Sequence, residues 1–589
     1  VRIPSRHRGQ WAAELIHDCS VSRAQRIQRG IAYRNLFLTG SENGVPQTFL
    51  RTHDFILDLL AVLYSPSDLR FTVDFFGQVS PVERAKGVVA AAILHQHIGQ
   101  AEIDDACGEA ALWSLIKGKA IQQIVWSRQG LESYLIQPEA FGVYNESISS
   151  LERQEAFVHT TFPTRSKFRQ MIYGLPEARQ KELMAACDRL TTRGREGDDS
   201  TNVLKQIIVG GLYPYATQGS PAGQSGGQIT HLFAPQATMP PAVVDSLVPM
   251  EELWVWNEAQ DDWCTITMVG EEIVFGEDQL FNAFSSQYPV KDEKNPLNGK
   301  HGFIEFCPMP LDQNFWGLSF VYLVALLQRS MNNRIDGINT MLRKEEDPPR
   351  FASGTMGINQ NAYAKLNKPG GYFTDGSPNA KIQDIVKEIP TDLWKSLHEL
   401  NQMFDQIAGM PPMMRGEAEG SVRSQGQSDA MIRMGGARHK NPALKLERSV
   451  ERTGALCLDI LRAKTVDIHT AWVKPNVKSL EIDAEPDPSL EPPAPGMQPV
   501  SFQLRHLSER ARVTVDSHSS SPAFRHENRA LLFALAKIGA ASPQQVVAGT
   551  HPPNEDAMIE DIEAKTIEQA AFLQAHPELA AKGGGKTKH

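Results

Sequence analysis

A chain of 589 residues carries 59 Lys and Arg against 69 Asp and Glu, a formal charge of −10, with 41% hydrophobic and 22% charged residues. That balance is ordinary for about three or four domains' worth of globular protein, and it excludes a disordered, collagenous or small disulfide-stapled chain. It also excludes a protein that coats nucleic acid through bulk positive charge, so any such contact is expected to be local.

Helices are expected first. Residues 24–36, 52–64, 82–97 and 105–116 place apolar side chains at three- and four-residue steps, separated by breakers at Gly40 to Gly44, Ser65-Pro66-Ser67 and Gly118. Short aromatic and β-branched runs at 120–126, 131–136 and 141–144 read as strands, and 168–190 reads as one helix. Residues 192–200 and 215–230 are polar or Gly/Ser-rich and read as exposed loops. Strands follow at 253–256, 265–269, 272–275 and 303–306.

The middle of the chain predicts a long helix over 314–342, then a Gly-rich insert at 353–376 of loops with short strands. Residues 391–407 carry Leu393, Leu397, Leu400, Phe404 and Ile407, one apolar stripe suited to packing beside another helix. Gly409-Met-Pro-Pro412 ends it. A polar, Gly-punctuated loop at 415–427 leads into a second long helix at 428–464, with Gly435-Gly436 and Pro442 as expected kink points. A Pro-rich acidic stretch at 481–499 reads as a linker or arm. A strand at 511–515 and helices at 524–538 and 554–576 close the series. The fold class expected is α+β, mainly helical.

The six cysteines, Cys19, Cys107, Cys187, Cys264, Cys307 and Cys457, are widely spaced with no C-x-x-C pair. That argues against a zinc ribbon or redox motif and predicts a reduced, intracellular protein. The longest nearly unbroken apolar run, 315–327, has thirteen residues. A membrane span needs about twenty, so a soluble chain with no membrane partner is expected.

Motifs for chemistry are weak. Gly223-Gln-Ser225-Gly-Gly227 matches a nucleophile elbow, but no apolar strand leads into Ser225, and a loop is the expectation. His95 and His97, near Asp104, Asp105 and Cys107, point to different sides of a helix and are read as satisfied histidines rather than metal ligands. Gly583-Gly-Gly585-Lys586-Thr587 lacks both the first glycine and the following helix of a phosphate loop. No catalytic residue, metal or cofactor is expected. The helix at 428–464 is different: Arg433, Arg438, Lys440, Lys445, Arg448, Arg452, Arg462 and Lys464 outnumber Asp429, Glu447, Glu451 and Asp459. It reads either as a solvated face or as a surface for phosphate backbone, which needs charge without base-specific geometry.

The order of these features resembles a tailed-bacteriophage portal protein. The resemblance is carried by Leu63-Tyr-Ser-Pro-Ser-Asp-Leu-Arg-Phe71, Gln137-Pro-Glu-Ala-Phe-Gly142 and Trp316-Gly-Leu-Ser319, then by Ile407-Ala-Gly-Met-Pro-Pro-Met-Met-Arg-Gly416 and Val513-Thr-Val-Asp-Ser-His-Ser-Ser520. Met410 stands where the family more often has an aliphatic residue. The resemblance implies a ring-forming subunit with a wing at 1–310, stem helices at 311–343 and 389–410 around a clip at 344–388, and a tunnel loop at 411–427. A kinked wing helix at 428–465, return strands and arm at 466–518 and a crown at 519–589 complete it. It implies a homo-oligomeric ring of twelve conducting double-stranded DNA at a capsid vertex of the virion, assembled in the host cytoplasm. Implied partners are a large terminase ATPase, a head-tail adaptor, and the major capsid and scaffolding proteins. Arg415, Glu417, Glu419, Arg423, Arg433, Arg438 and Lys440 are the DNA-channel candidates. Leu393, Leu397, Leu400, Phe404 and Ile407 are the stem-packing candidates. Another oligomeric virion or tail adaptor protein is the alternative, with a serine hydrolase at Ser225 behind it.

Overall fold

The structure is a computed structural model. It describes residues 3–193 apart from short breaks, most of 247–275, 281–282, 299–346, 350–353, 372–374, 381–384, 391–409, 425–473, most of 498–515, 531–538, and isolated positions besides. The chain divides into two units, one of residues 1–60 with 109–445, the other of 61–108 with 446–589.

The first unit is built on antiparallel strands β4 (Phe141–Val143), β5 (Ala156–Thr161), β6 (Met250–Asn257), β7 (Asp262–Val269) and β8 (Glu272–Phe275), in that order, with the short β9 (Phe281–Asn282) also on β7. Its residues sort by the two-residue period of a strand. Ala156, Val158, Leu253, Val255, Ile266 and Met268 face helix α1 (Arg8–Ser20), meeting Ala12, Leu15, Ile16 and Cys19. Their alternates Phe157, Trp254 and Trp263 face the other way, into an aromatic core with Phe141, Phe303 and Phe315. Phe157 stacks on Trp254 with centroids 5.6 Å apart, and Phe303 meets Trp254 edge-on at 4.9 Å. Phe303 belongs to β10 (Phe303–Phe306), which pairs with β2 (Ala120–Ser127), itself paired with β3 (Gly130–Ile136). α1 was not expected from the sequence; it opens on His7 in a left-handed conformation with no side-chain cap, so no start signal precedes it.

The helix expected at 168–190 is two. α6 (Arg165–Met171), capped by the Thr164 hydroxyl accepting from the Lys167 N–H, ends before Gly174, and α7 (Glu177–Arg193) starts after Pro176. Proline has no N–H to continue α6 and disfavours helical backbone in the residue before it. Phe168, Ile172, Leu183 and Cys187 bury against Val248, Met250, Val269 and Val274.

Three helices also belong wholly or in part to this unit: α2 (Arg23–Thr39), the first ten residues of α3 (Arg51–Leu63), and the latter part of α5 (Ile103–Lys117). Two long helices follow, α8 (Phe320–Glu346) and α9 (Thr391–Ala408), which pack on each other. Between them lies a three-stranded sheet in the order β12 (Tyr372–Thr374), β11 (Arg350–Ser353), β13 (Lys381–Asp384), with β11 parallel to β12 and antiparallel to β13. Helix α10 (Gln425–Lys464) then runs on through Gly435-Gly436 and Pro442.

In the second unit α4 (Pro81–Gln100) starts at a side-chain N-cap: the Ser80 hydroxyl accepts from the Glu83 N–H, with Pro81 in the first turn. It packs on β1 (Phe71–Phe75) and β14 (Ile468–Val473), whose antiparallel partners are β16 (Ala511–Val515) and β15 (Gln498–Gln503). The Phe71 N–H donates to His95 Nε2 at 2.8 Å, so His95 serves β1 as an acceptor. Gly87 and Gly454 admit Phe75 and Phe71: a Cβ at either would lie 2.6 Å from the ring.

Two glycines give substitutions of opposite sign. A Cβ at Gly142 would lie 2.3 Å from the Cys19 backbone carbonyl at the end of α1, while at Gly99 in α4 it would meet nothing within 4 Å. Gly142→Ala is expected to destabilise by about 1–3 kcal/mol and Gly99→Ala to stabilise by about 0.5–1 kcal/mol, read as shifts in urea midpoint.

Candidate functional site

The features most suited to function centre on α8 and α9. α8 begins at Phe320 rather than at 314, because the five residues before it form a rigid root. Gly317 takes φ +67°, and Ser319 caps the helix by accepting from the Tyr322 N–H at 3.3 Å while donating to the Ile116 carbonyl at the end of α5. Gly118 takes φ +93° where a Cβ would lie 2.9 Å from the Trp316 carbonyl. Both glycines sit where only a residue without a Cβ can bring the backbones together.

Two buried cations grip the aromatic pair Phe315–Trp316, whose rings lie edge to face at 4.9 Å. Lys119 Nζ sits 3.6 Å from the Phe315 ring centre and donates to Glu305 Oε2 at 2.7 Å and the Ser149 carbonyl at 2.8 Å. The Arg26 guanidinium lies 4.0 Å over Trp316. Glu146 accepts from Trp316 Nε1 at 2.7 Å and from the Ser22 hydroxyl, and its own carbonyl accepts from the Phe315 N–H at 2.7 Å. Burial pulls Arg26 down to about 10, partly offset by Glu146, so it stays charged at neutral pH. The 137–142 segment is bound nearby: Lys117 Nζ donates to Gln137 Oε1 at 2.6 Å and Glu139 Oε2 at 2.8 Å.

Farther along, the first turn of α3 grips both long helices. Gln328 of α8 is fully buried; its Oε1 accepts from the Thr52 N–H at 3.0 Å and hydroxyl at 3.1 Å. Its Nε2 donates to the Phe49 carbonyl at 2.7 Å and Asn332 Oδ1 at 2.9 Å, and Asn332 Nδ2 donates to the Gly40 carbonyl at 2.7 Å. On α9, Asp405 accepts from Arg51, and the same guanidinium lies 5.7 Å from the Phe404 ring.

Of the stem-packing candidates, Phe404 is buried, Leu393, Leu397 and Leu400 are half-buried and Ile407 is 51% exposed. Met403 at 50% and Trp394 at 52% are exposed on the same helix, as are Tyr322 at 58% and Leu326 at 70% on α8.

Of the channel candidates, Arg415, Glu417, Glu419 and Arg423 lie outside the described residues, and Arg433 lies on α10 with its side chain outside them. Arg438 Nη1 donates to the Gln406 carbonyl at 2.9 Å, satisfying the last turn of α9, and His439 Nε2 donates to the Gly409 carbonyl at 3.2 Å. Burial lowers the pKa of His439. Lys440, Lys445, Arg448 and Arg452 are exposed. Ser225 and 583–587 lie outside the described residues. Among the described residues no three His, Cys, Asp or Glu side chains are placed to hold a metal, and no helix is long and apolar enough to cross a membrane.

Sequence reasoning missed Lys119, Glu146, Arg51 and Gln328. A signal existed for Gln328, which falls on the apolar stripe Val321, Val324, Gln328, Met331, where a lone amide must find buried partners. No family model matches the chain, and no curated protein matches it significantly.

The root has a measurable consequence. The Lys119 side chain is 0% exposed and Glu305 13%. Lys119→Met removes the cation and leaves that carboxylate without it, and is expected to cost roughly 3–5 kcal/mol in urea unfolding. Adding Glu305→Gln should recover part of the loss.

Proposed function

We propose that this chain is a structural subunit of portal type, which closes with copies of itself into a ring conducting double-stranded DNA. The observation that carries the reading is the arrangement of the middle segment. One long helix leaves a rigid root, a small three-stranded sheet follows, and a second long helix returns along the first with apolar side chains still exposed. In this reading α8 and α9 are the stem, the sheet of β11 to β13 is the clip, and α10 with its exposed basic residues belongs to the wing. Exposed apolar faces on packed helices call for a partner. One subunit offers two such faces, Tyr322 and Leu326 on α8 and Met403 and Ile407 on α9, so a second copy can supply the complement head to tail; repetition of such a contact closes a ring when the rotation allows.

The ring takes a terminase ATPase, a head-tail adaptor, and capsid and scaffolding proteins as partners, in the virion. This chain contributes no catalysis of its own. An acidic conduit with few basic positions suits moving DNA, because it avoids the multiple phosphate neutralisation that makes binding tight and salt-sensitive.

The test is mass photometry and negative-stain imaging of the purified chain. Twelve copies of 65.3 kDa sum to about 784 kDa with a through-channel. A monomer at all concentrations overturns the reading, and a ring without a channel wide enough for a duplex favours the adaptor alternative. Ile407→Glu changes a side chain already exposed in the single chain. It is expected to leave unfolding within about 0.5 kcal/mol while lowering the assembled fraction at least tenfold.

A further inference from the structure

We propose that Arg51 positions α9: by holding Asp405 and Phe404 together it fixes the rotation of that helix, and so turns Met403 and Ile407 toward a second copy that it never touches. The inference rests on the reading that copies of this chain associate through α9.

The argument is angular. Successive helix residues are turned by about 100°, so with Phe404 as reference Asp405 lies near +100°, Met403 near −100° and Ile407 near −60°. Arg51 touches the first two positions, by an ion pair to Asp405 and by its guanidinium 5.7 Å from the Phe404 ring. Phe55, one turn along α3, meets Phe404 edge-on at 5.8 Å. Rolling α9 either way loses the carboxylate or the ring. Met403 and Ile407 lie one turn apart on the opposite shoulder, half exposed.

Arg51 can act as a fixed point because its neighbour Thr52 is tied to α8. The Gln328 amide satisfies both the Thr52 N–H and its hydroxyl, and the network continues to Asn332 and the Gly40 carbonyl. Gln328 therefore holds α8 by neutral, buried hydrogen bonds, with the exposed Arg329–Glu42 ion pair beside it, whereas Arg51 holds α9 by a partly buried ion pair, with side chains 14% and 20% exposed. The two attachments differ in chemistry, so they can be loosened separately.

The test is hydrogen exchange on the full chain, reading peptides of α8 and α9, together with the assembled fraction by mass photometry. Arg51→Gln is expected to speed exchange in α9 at least tenfold, leave α8 within twofold, and lower the assembled fraction. Arg51→Lys, which keeps the charge, should stay within threefold of wild type in α9. The swap Arg51→Asp with Asp405→Arg should restore α9 protection relative to either single change. If Arg51→Gln does not fold, Asp405→Asn takes its place with the same expectation. Unchanged α9 exchange overturns the proposal, and so does α8 and α9 loosening together, the mark of a merely structural contact. Should the wild-type chain never associate, the ring reading falls, while the exchange measurement still decides whether Arg51 sets the helix.

Discussion

The root of α8 depends on burying two positive charges beside two aromatic rings. Lys119 and Arg26 are removed from water only because each has a carboxylate, a carbonyl and a ring face within reach. Charge taken out of water is costly unless so compensated, and the compensation is directional. Phe315 and Trp316 therefore cannot slide, and α8 leaves the body at one angle. An apolar pair in the same place would pack as well but would resist sliding less.

The same division of labour recurs along the helix pair. Gln328 spends both ends of its amide on α3 and its preceding loop, fixing α8 axially through bonds that salt does not screen. Arg51 holds α9 through a partly buried ion pair, which salt screens only weakly. The exposed apolar side chains lie on the helices that these two attachments orient. The interior thus determines what the surface offers.

Much of this fold was legible as period and punctuation. The strand expected at 253–256 is β6, whose residues are buried on both faces, and the helix expected at 82–97 is α4, which starts one residue earlier behind the Ser80 cap. What failed did so for local reasons. β1 has five residues, too few for alternation to stand out, and its partner β16 lies more than four hundred residues on. β14 and β15 are likewise joined only by pairing, which no local pattern records. The start of α8 was placed too early because Phe315, Trp316 and Leu318 are as apolar as the helix they precede. Only the conformations of Gly317 and Gly118 reveal that they are root rather than helix. In the candidate site the striped residues of α9 were visible by their spacing. Arg51, which grips α9, left no local signal because its partner Asp405 lies 354 residues on, whereas Gln328 showed as a lone amide in the apolar stripe of α8.

The size of the exposed face bears on how a ring would form. Removing the exposed half of a Met or Ile side chain from water yields on the order of 1 kcal/mol. Met403 and Ile407 on one copy against Tyr322 and Leu326 on the next therefore supply a few kcal/mol, comparable to or below the roughly 4–15 kcal/mol of lost translational and rotational freedom. A pair of copies joined by this face alone would be weak. Closing the ring changes the balance, because the last subunit to enter makes two such contacts for one loss of freedom. In the proposed ring, assembly through α8 and α9 would run from monomer to closed ring with little in between. The helix rotation matters most at that step, since a small error repeated at every interface opens the circle into a spiral.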